Sequence, residues 1–235
     1  MSLVEATVIL AVVAALSAIL APAIAGYVIN AQEAAAKRDV EAIAAALTKM
    51  LTDVGEAWVL RDGNGAAATD APSRAAGQRV DMLVSENGTT PVLAATARSA
   101  GTDWDDPVDN AAVQKLDYYL VLNTPSNSSS NAYRSASDMS VTAQFDPDDG
   151  RTFHSEHAWR GAYLSGPIGP DPWGERYAVN VEFLARTQGT TPSGSRMDVV
   201  VISAGVNNRI DTPFEVDGQT GRVDDIVAVV SGGTR

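Results

Sequence analysis

Residues 1–30 read MSLVEATVILAVVAALSAILAPAIAGYVIN, and this stretch decides the architecture. Between Ala6 and Ile29 only Thr7, Ser17, Pro22 and Gly26 fall outside the apolar set, and no charge lies between Glu5 and Glu33. At about 1.5 Å of rise per residue, a helix of this length covers the roughly 30 Å hydrocarbon core of a bilayer. A helix that is apolar all round needs lipid or protein about its whole circumference. The remainder of the chain is too polar to supply a protein sheath, so a membrane segment is expected.

Three readings of the segment compete. A cleaved secretory signal begins with Lys or Arg, and Met1-Ser2-Leu3-Val4-Glu5 has neither, although Ala23-Ile24-Ala25 offers the small residues of a cleavage site. An ordinary anchor carries basic residues on its cytoplasmic flank, whereas Lys37 and Arg38 lie beyond the far end. Loss of a basic leader that preceded Met1 accounts best for the missing charges. Pro22 removes one helical hydrogen bond and crowds the preceding turn, so a kink or local melting is expected over residues 18–22; the alternative is a proline tolerated within a membrane helix. Glu5 is costly at the edge of an apolar helix unless it is paired, and the α-amino group of a neighbouring Met1 would suit it. A Glu5 that simply reaches the headgroups is the competing reading.

Met1 to Glu5, followed by an apolar helix with Pro22, resembles the mature N-terminus of type IV pilins and type II secretion pseudopilins. The resemblance implies cleavage of a leader by a prepilin peptidase and N-methylation of Met1. It also implies that Glu5 neutralises the N-terminus of an adjacent subunit during assembly, and that Pro22 is the family's helix-breaking proline. An inner-membrane assembly platform with its ATPase is implied as partner.

Past the apolar run, Val40, Ile43, Ala44, Leu47, Met50, Leu51 and Val54 recur at spacings of three and four, a single helical stripe. Lys37, Arg38, Asp39, Glu41, Lys49 and Asp53 fall mostly off it, and Gly55 offers a stop. One helix over residues 2–54 would be about 80 Å long. Its first half suits lipid or a filament core, and its second suits a soluble sheet. The chain therefore divides into residues 1–30, the membrane or filament-core half of the helix, and 31–235, a head domain that includes the amphipathic half.

Within the head, residues 61–80 read as a loop, 109–122 as a short helix with an extended continuation, and 123–130 as a polar loop. Residues 177–184 alternate as a half-buried strand, 198–203 with the run Val199-Val200-Val201-Ile202 suit a covered central strand, and 225–231 form the last one. Glycine-containing turns at 189–194 and 205–208 favour antiparallel pairing. The expected fold is α+β and pilin-like: a long N-terminal helix packed on a small antiparallel sheet. Trp159-Arg160-Gly161-Ala162-Tyr163-Leu164 and Asp171-Pro172-Trp173-Gly174-Glu175-Arg176-Tyr177 resemble the major pseudopilin of type II secretion, with Ala162 where that family has proline. Physically, Pro172 and Gly174 set a turn while Trp173 and Tyr177 cap the core.

The resemblance also points to calcium in the loop between the last strands. Calcium takes six to eight oxygens. Asp211, Asp224 and Asp225, with backbone carbonyls near Val206 and Asn208, would supply them if the loop folds back. Arg209 in the same loop offers the alternative, pairing with an aspartate in the cation's place. Asp146-Pro147-Asp148-Asp149-Gly150 lacks EF-hand spacing and reads as a turn. His154 and His157 have no third zinc ligand near them and read as surface residues. Asp103, Asp105, Asp106 and Asp109 read as the solvated start of a helix. Asn87-Gly88-Thr89 and Asn127-Ser128-Ser129 match the glycosylation pattern, and Asn127 with Ser128 is the candidate carried forward.

The chain has no cysteine, which excludes disulfides, thiolate metal sites, iron–sulfur clusters and a cysteine nucleophile. A net charge of −12 argues against nonspecific nucleic-acid binding. No Gly-x-Ser-x-Gly elbow and no Walker loop occur, so an enzyme is not expected. The expected function is a pilin forming an extracellular type IV pilus-like filament, inserted in the inner membrane before assembly. The alternatives are a type II secretion pseudopilus subunit driving export and a monomeric, membrane-anchored binding module.

Overall fold

The computed structural model describes residues 2–54, 82–94, 104, 113–124, 127, 159–181, 198–214 and 221–230. Helix α1 spans Leu3–Val54 without interruption, 52 residues and about 78 Å. The melting expected over residues 18–22 does not occur. Pro22 keeps a helical φ and forfeits one N–H bond, a loss that the turns on either side contain. The second half of α1 behaves as its periodicity requires: Ala36, Val40, Ile43, Ala44, Ala46, Leu47, Met50, Leu51 and Val54 are buried, while Lys37, Arg38, Glu41 and Lys49 are exposed. Burying each of the larger side chains contributes about 1.5–3 kcal/mol, so this stripe is the main attachment of helix to head.

The stripe packs on a five-stranded sheet ordered β3-β1-β4-β5-β7. Its strands are β1 (Met82–Val84), β3 (Val113–Lys115), β4 (Ala178–Val179), β5 (Val200–Ser203) and β7 (Ile226–Val229). The pairings β1–β4, β4–β5 and β5–β7 are antiparallel, as expected, but β3 joins β1 in parallel. A parallel pair needs a long crossover, and the stretch between β1 and β3 has room for one. All four residues of β5 are buried, which explains its unbroken apolar run: a strand covered on both faces has no solvent side to mark with polar residues. β2 (Val92–Leu93) and β6 (Arg209–Ile210) form a separate parallel pair.

In 109–122 the order of elements is the reverse of that expected. β3 comes first and the five-residue helix α2 (Leu116–Leu120) follows. Pairing with β1 holds Val113–Lys115 extended, so tertiary context overrides the mixed local pattern. Among the described residues, the strand expected over 177–184 pairs at Ala178–Val179. Beyond it the fully buried Asn180 replaces ladder groups with its side chain. Its Oδ1 accepts from Val200 N–H at 2.6 Å, and its Nδ2 donates to the carbonyls of Asp198 (3.0 Å) and Phe214 (2.8 Å). Residues 182–184 and the loop at 61–80 lie outside the described residues.

Polar contacts also fasten α1 to the head beside the apolar stripe. Tyr177 donates its hydroxyl to Asp39 Oδ2 at 2.9 Å, Gln32 Nε2 donates to the Pro172 carbonyl at 3.3 Å, and Arg160 pairs with Asp53 at 3.4 Å. The 171–177 segment thus touches the helix close to where its apolar half ends.

Candidate functional site

Two regions bear on function: the exposed half of α1 and the acidic loop at the end of the sheet. From Leu3 to Ile29 the apolar side chains other than the half-buried Ala6 are exposed, Leu3 by 82% and Ile19 by 71%. This half of the helix is long and apolar enough to cross a membrane, and none of it is buried by the rest of the chain. Thr7 hides its hydroxyl by donating to the Val4 carbonyl at 2.9 Å, which suits an apolar surrounding.

Glu5 lies in the first turn and forms a capping box with Ser2. The Ser2 N–H donates to Glu5 Oε2 at 2.8 Å, and the Glu5 N–H donates to Ser2 Oγ at 3.3 Å. The two residues thereby satisfy amide groups that a helix start leaves open, and the carboxylate faces the positive end of the helix dipole. Ser2-Leu3-Val4-Glu5 is the sequence signature of this box, which gives Glu5 a local role beside the intersubunit one expected of it. Pro22 is exposed on the same helix, and Met1 lies outside the described residues.

The acidic loop follows β5. Gly205–Asn207 form one 3₁₀ turn, closed by Gly205 at φ +67° and Asn208 at φ +57°. The facing turn at 222–225 contains Val223 at φ +60°, an unusual conformation for a β-branched residue. Together they bring Asp224 to Asp211 through Asn207 and set Asp225 under the Asp211 N–H, but among the described residues no three carboxylates group as a metal site requires. The groups lying among the carboxylates are hydrogen-bond donors. Asp211 Oδ1 takes the Arg209 guanidinium at 2.8 Å, and its Oδ2 takes Asn207 Nδ2 at 3.0 Å. Asn207 Nδ2 also donates to Asp224 Oδ1, and the Asn207 N–H donates to Asp224 Oδ2 at 2.8 Å. Asp225 Oδ2 accepts from the Asp211 N–H (2.9 Å) and the Thr212 N–H (2.6 Å), while its buried Oδ1 has no hydrogen-bond partner among the described residues.

Burial pushes the Asp225 carboxyl up to about 6. The carbonyl of Asn208, expected near a cation, accepts instead from the Val92 N–H at 3.2 Å. Trp104 closes the underside, donating Nε1 to the Thr212 carbonyl at 2.9 Å and meeting Phe214 edge-on at 5.0 Å.

A buried hydrogen-bond chain runs from this loop to the Asp-Pro-Trp-Gly turn. The Gly205 N–H donates to Ser203 Oγ (3.3 Å), and Ser203 Oγ donates to Asp171 Oδ2 (2.7 Å). Asp171 Oδ1 accepts from the N–H groups of Trp173 (3.0 Å) and Glu175 (2.9 Å), and Gly174 N–H closes the turn on the Asp171 carbonyl at 2.9 Å. Neighbouring Glu175 is pushed up from the ordinary carboxylate range by burial and by the Asp171 charge.

Asn127 is exposed, at φ +55°, whereas Ser128 lies outside the described residues, as do His154, His157, the aspartates at 146–149 and those at 103, 105, 106 and 109. Asn207, Ser203 and Asn180 carry no signal in the sequence, because each is a common loop or strand residue whose partners lie far away in the chain. No family model matches the chain, and neither a curated protein nor a solved structure matches it.

Proposed function

We propose that this chain is a pilin-like structural subunit that self-assembles into a helical, type IV pilus-like filament, with α1 as the polymerising element. The observation that carries the reading is the division of labour within one unbroken helix. Residues 36–54 bury their apolar stripe on the head, while the apolar side chains from Leu3 to Ile29 cover nothing in their own chain. Lipid before assembly and copies of the same helix afterwards are both suitable surroundings. Exchanging one for the other changes little apolar exposure, so polar pairing can direct the process. Glu5 meeting the α-amino group of Met1 on a neighbouring subunit would supply that direction, and N-methylation of Met1 would follow leader removal.

In this reading the subunit waits in the inner membrane with its head outside the cytoplasm. A prepilin peptidase and an assembly platform with its ATPase act on it, and the role is structural rather than catalytic. Exposed Asn127 would be open to glycosylation. A second reading, a type II secretion pseudopilus subunit driving export, is favoured by the 159–177 segment, whose turn is seated against α1 through Pro172 and Gln32.

Glu5→Ala separates assembly from insertion. The variant is expected in the membrane fraction at the wild-type level, with filaments reduced by an order of magnitude or more in the sheared fraction. Ser2→Ala, which removes only the hydroxyl half of the capping box, is expected to leave filaments intact. Normal filaments from Glu5→Ala refute the pairing role, and equal losses in both variants reduce Glu5 to a helix cap. A subunit that never polymerises belongs to the remaining class, a monomeric membrane-anchored binding module.

A further inference from the structure

We infer that the acidic loop is closed by its own donors: the Asn207 carboxamide bridges Asp211 to Asp224, where a divalent ion would otherwise sit, and the Arg209 guanidinium neutralises Asp211. The head then folds and holds its loop without calcium. The inference stands whether or not the chain polymerises.

The position of Arg209 follows from the strand it sits on. Residues two apart on a strand share a face, so Arg209 and Asp211 flank Ile210 on the same side. Pairing with β2, through Val92 opposite Arg209, fixes that side. Asp211 is only 4% exposed, and a carboxylate so buried must be paired. Arg209 remains half-exposed, with its side chain 49% accessible, so its own desolvation cost is small. A buried anion matched by a half-hydrated cation is the inexpensive way to neutralise such a site.

Asn207 completes the arrangement. Its Oδ1 accepts from the Arg209 N–H at 2.7 Å, which orients the carboxamide so that Nδ2 points at both Asp211 and Asp224. A calcium shell consists of oxygens, six to eight of them. Here both oxygens of Asp211, both of Asp224 and one of Asp225 already accept from N–H groups. A divalent ion entering between Asp211 and Asp224 would meet the protons of Asn207 Nδ2, and the Asp211 charge is already matched by Arg209. Removing Arg209 leaves that donor in place. Asp211 Oδ1 loses its guanidinium, and the buried carboxylate is left with the neutral Asn207 Nδ2 on its other oxygen. The Arg209→Ala loop should therefore be weakened by an unmatched buried charge, and neutralising Asp211 as well should relieve it.

The test is thermal unfolding of the full chain in detergent micelles, followed by tryptophan fluorescence, once in EDTA and once in excess calcium without chelator. The wild-type protein is expected to melt at the same temperature in both. Arg209→Ala is expected to melt about 5 °C lower in both, on the scale of 2–4 °C per kcal/mol for a domain of this size, and Arg209→Ala combined with Asp211→Asn is expected to recover part of that loss. A wild-type protein that loses stability in EDTA and regains it with calcium overturns the inference, and that comparison needs no variant. It is equally overturned if Arg209→Ala melts as wild type in EDTA, or if the double variant with Asp211→Asn melts no higher than Arg209→Ala.

Discussion

Asp171→Ala is expected to cost the head about 4 kcal/mol or more, a large part of the 5–15 kcal/mol that holds a typical domain together. The carboxylate is 3% exposed and accepts from three donors: the N–H groups of Trp173 and Glu175, and the Ser203 hydroxyl. Truncation strands all three, at about 1–3 kcal/mol for each donor left unsatisfied in the interior. It also removes the side chain that shapes the Asp-Pro-Trp-Gly turn, and with it the seat of Gln32 on Pro172. The check is thermal or denaturant unfolding of the full chain in micelles. Asp171→Asn keeps an acceptor for the two N–H groups and lets the Ser203 hydroxyl rotate to accept, so it should recover more than half of the loss. If Asp171→Ala melts within a degree or two of wild type, the buried chain from Gly205 to the turn does not hold the head together.

Gly205→Ala should come next in severity. Its φ of +67° disfavours any side chain, and a Cβ at this position would stand 2.2 Å from the Asp224 carbonyl oxygen. The left-handed backbone costs about 1–2 kcal/mol, and forcing the two turns of the acidic loop apart adds about 1–3 kcal/mol. A fall in melting temperature of roughly 4–20 °C follows for a domain of this size. Gly174 provides the control, because its φ is +97° but nothing lies within 4 Å of where a Cβ would stand. Gly174→Ala should therefore show the conformational cost alone. Equal shifts in the two variants would mean that the contact between Gly205 and Asp224 carries no weight.

The helix and its partition were legible because they rest on long-range regularities. An apolar run of membrane length and a stripe at spacings of three and four leave little latitude, and Val40 to Val54 are buried as the stripe requires. The Val200–Ser203 strand was legible for the same reason. What escaped reading depends on partners remote in sequence. Met82–Val84 is too short to show a period, and it becomes a strand only between β3 and β4. Val113–Lys115 is extended because β1 is there to pair with it. Asn180 lies where strand alternation suggests a polar, outward residue, yet it is fully buried and serves as a rung of the sheet.

The acidic loop shows the same limit within a site. The approach of Asp224 and Asp225 to Asp211 could be anticipated from a fold-back of the last strands. Which groups fill the space among them could not, because Asn207 acquires its role only from the left-handed turn at Asn208 and from the Arg209 N–H that fixes its carboxamide. Glu5 is the opposite case. Its partner Ser2 is three residues away, so the signal for the capping box lay within four consecutive residues, yet the expectation for Glu5 covers only pairing with Met1 or reaching the headgroups.

The central claim is that the exposed half of α1 exists to be buried among copies of itself. The measurement that tests it most directly is cryo-electron microscopy of the filaments sheared from cells producing this chain. The claim predicts filaments built from this subunit, with residues 3–29 packed in the filament core, Glu5 beside the N-terminus of a neighbour and the heads outside. A subunit that stays dispersed in the membrane, or filaments held together by their heads with these helices at the periphery, would contradict it.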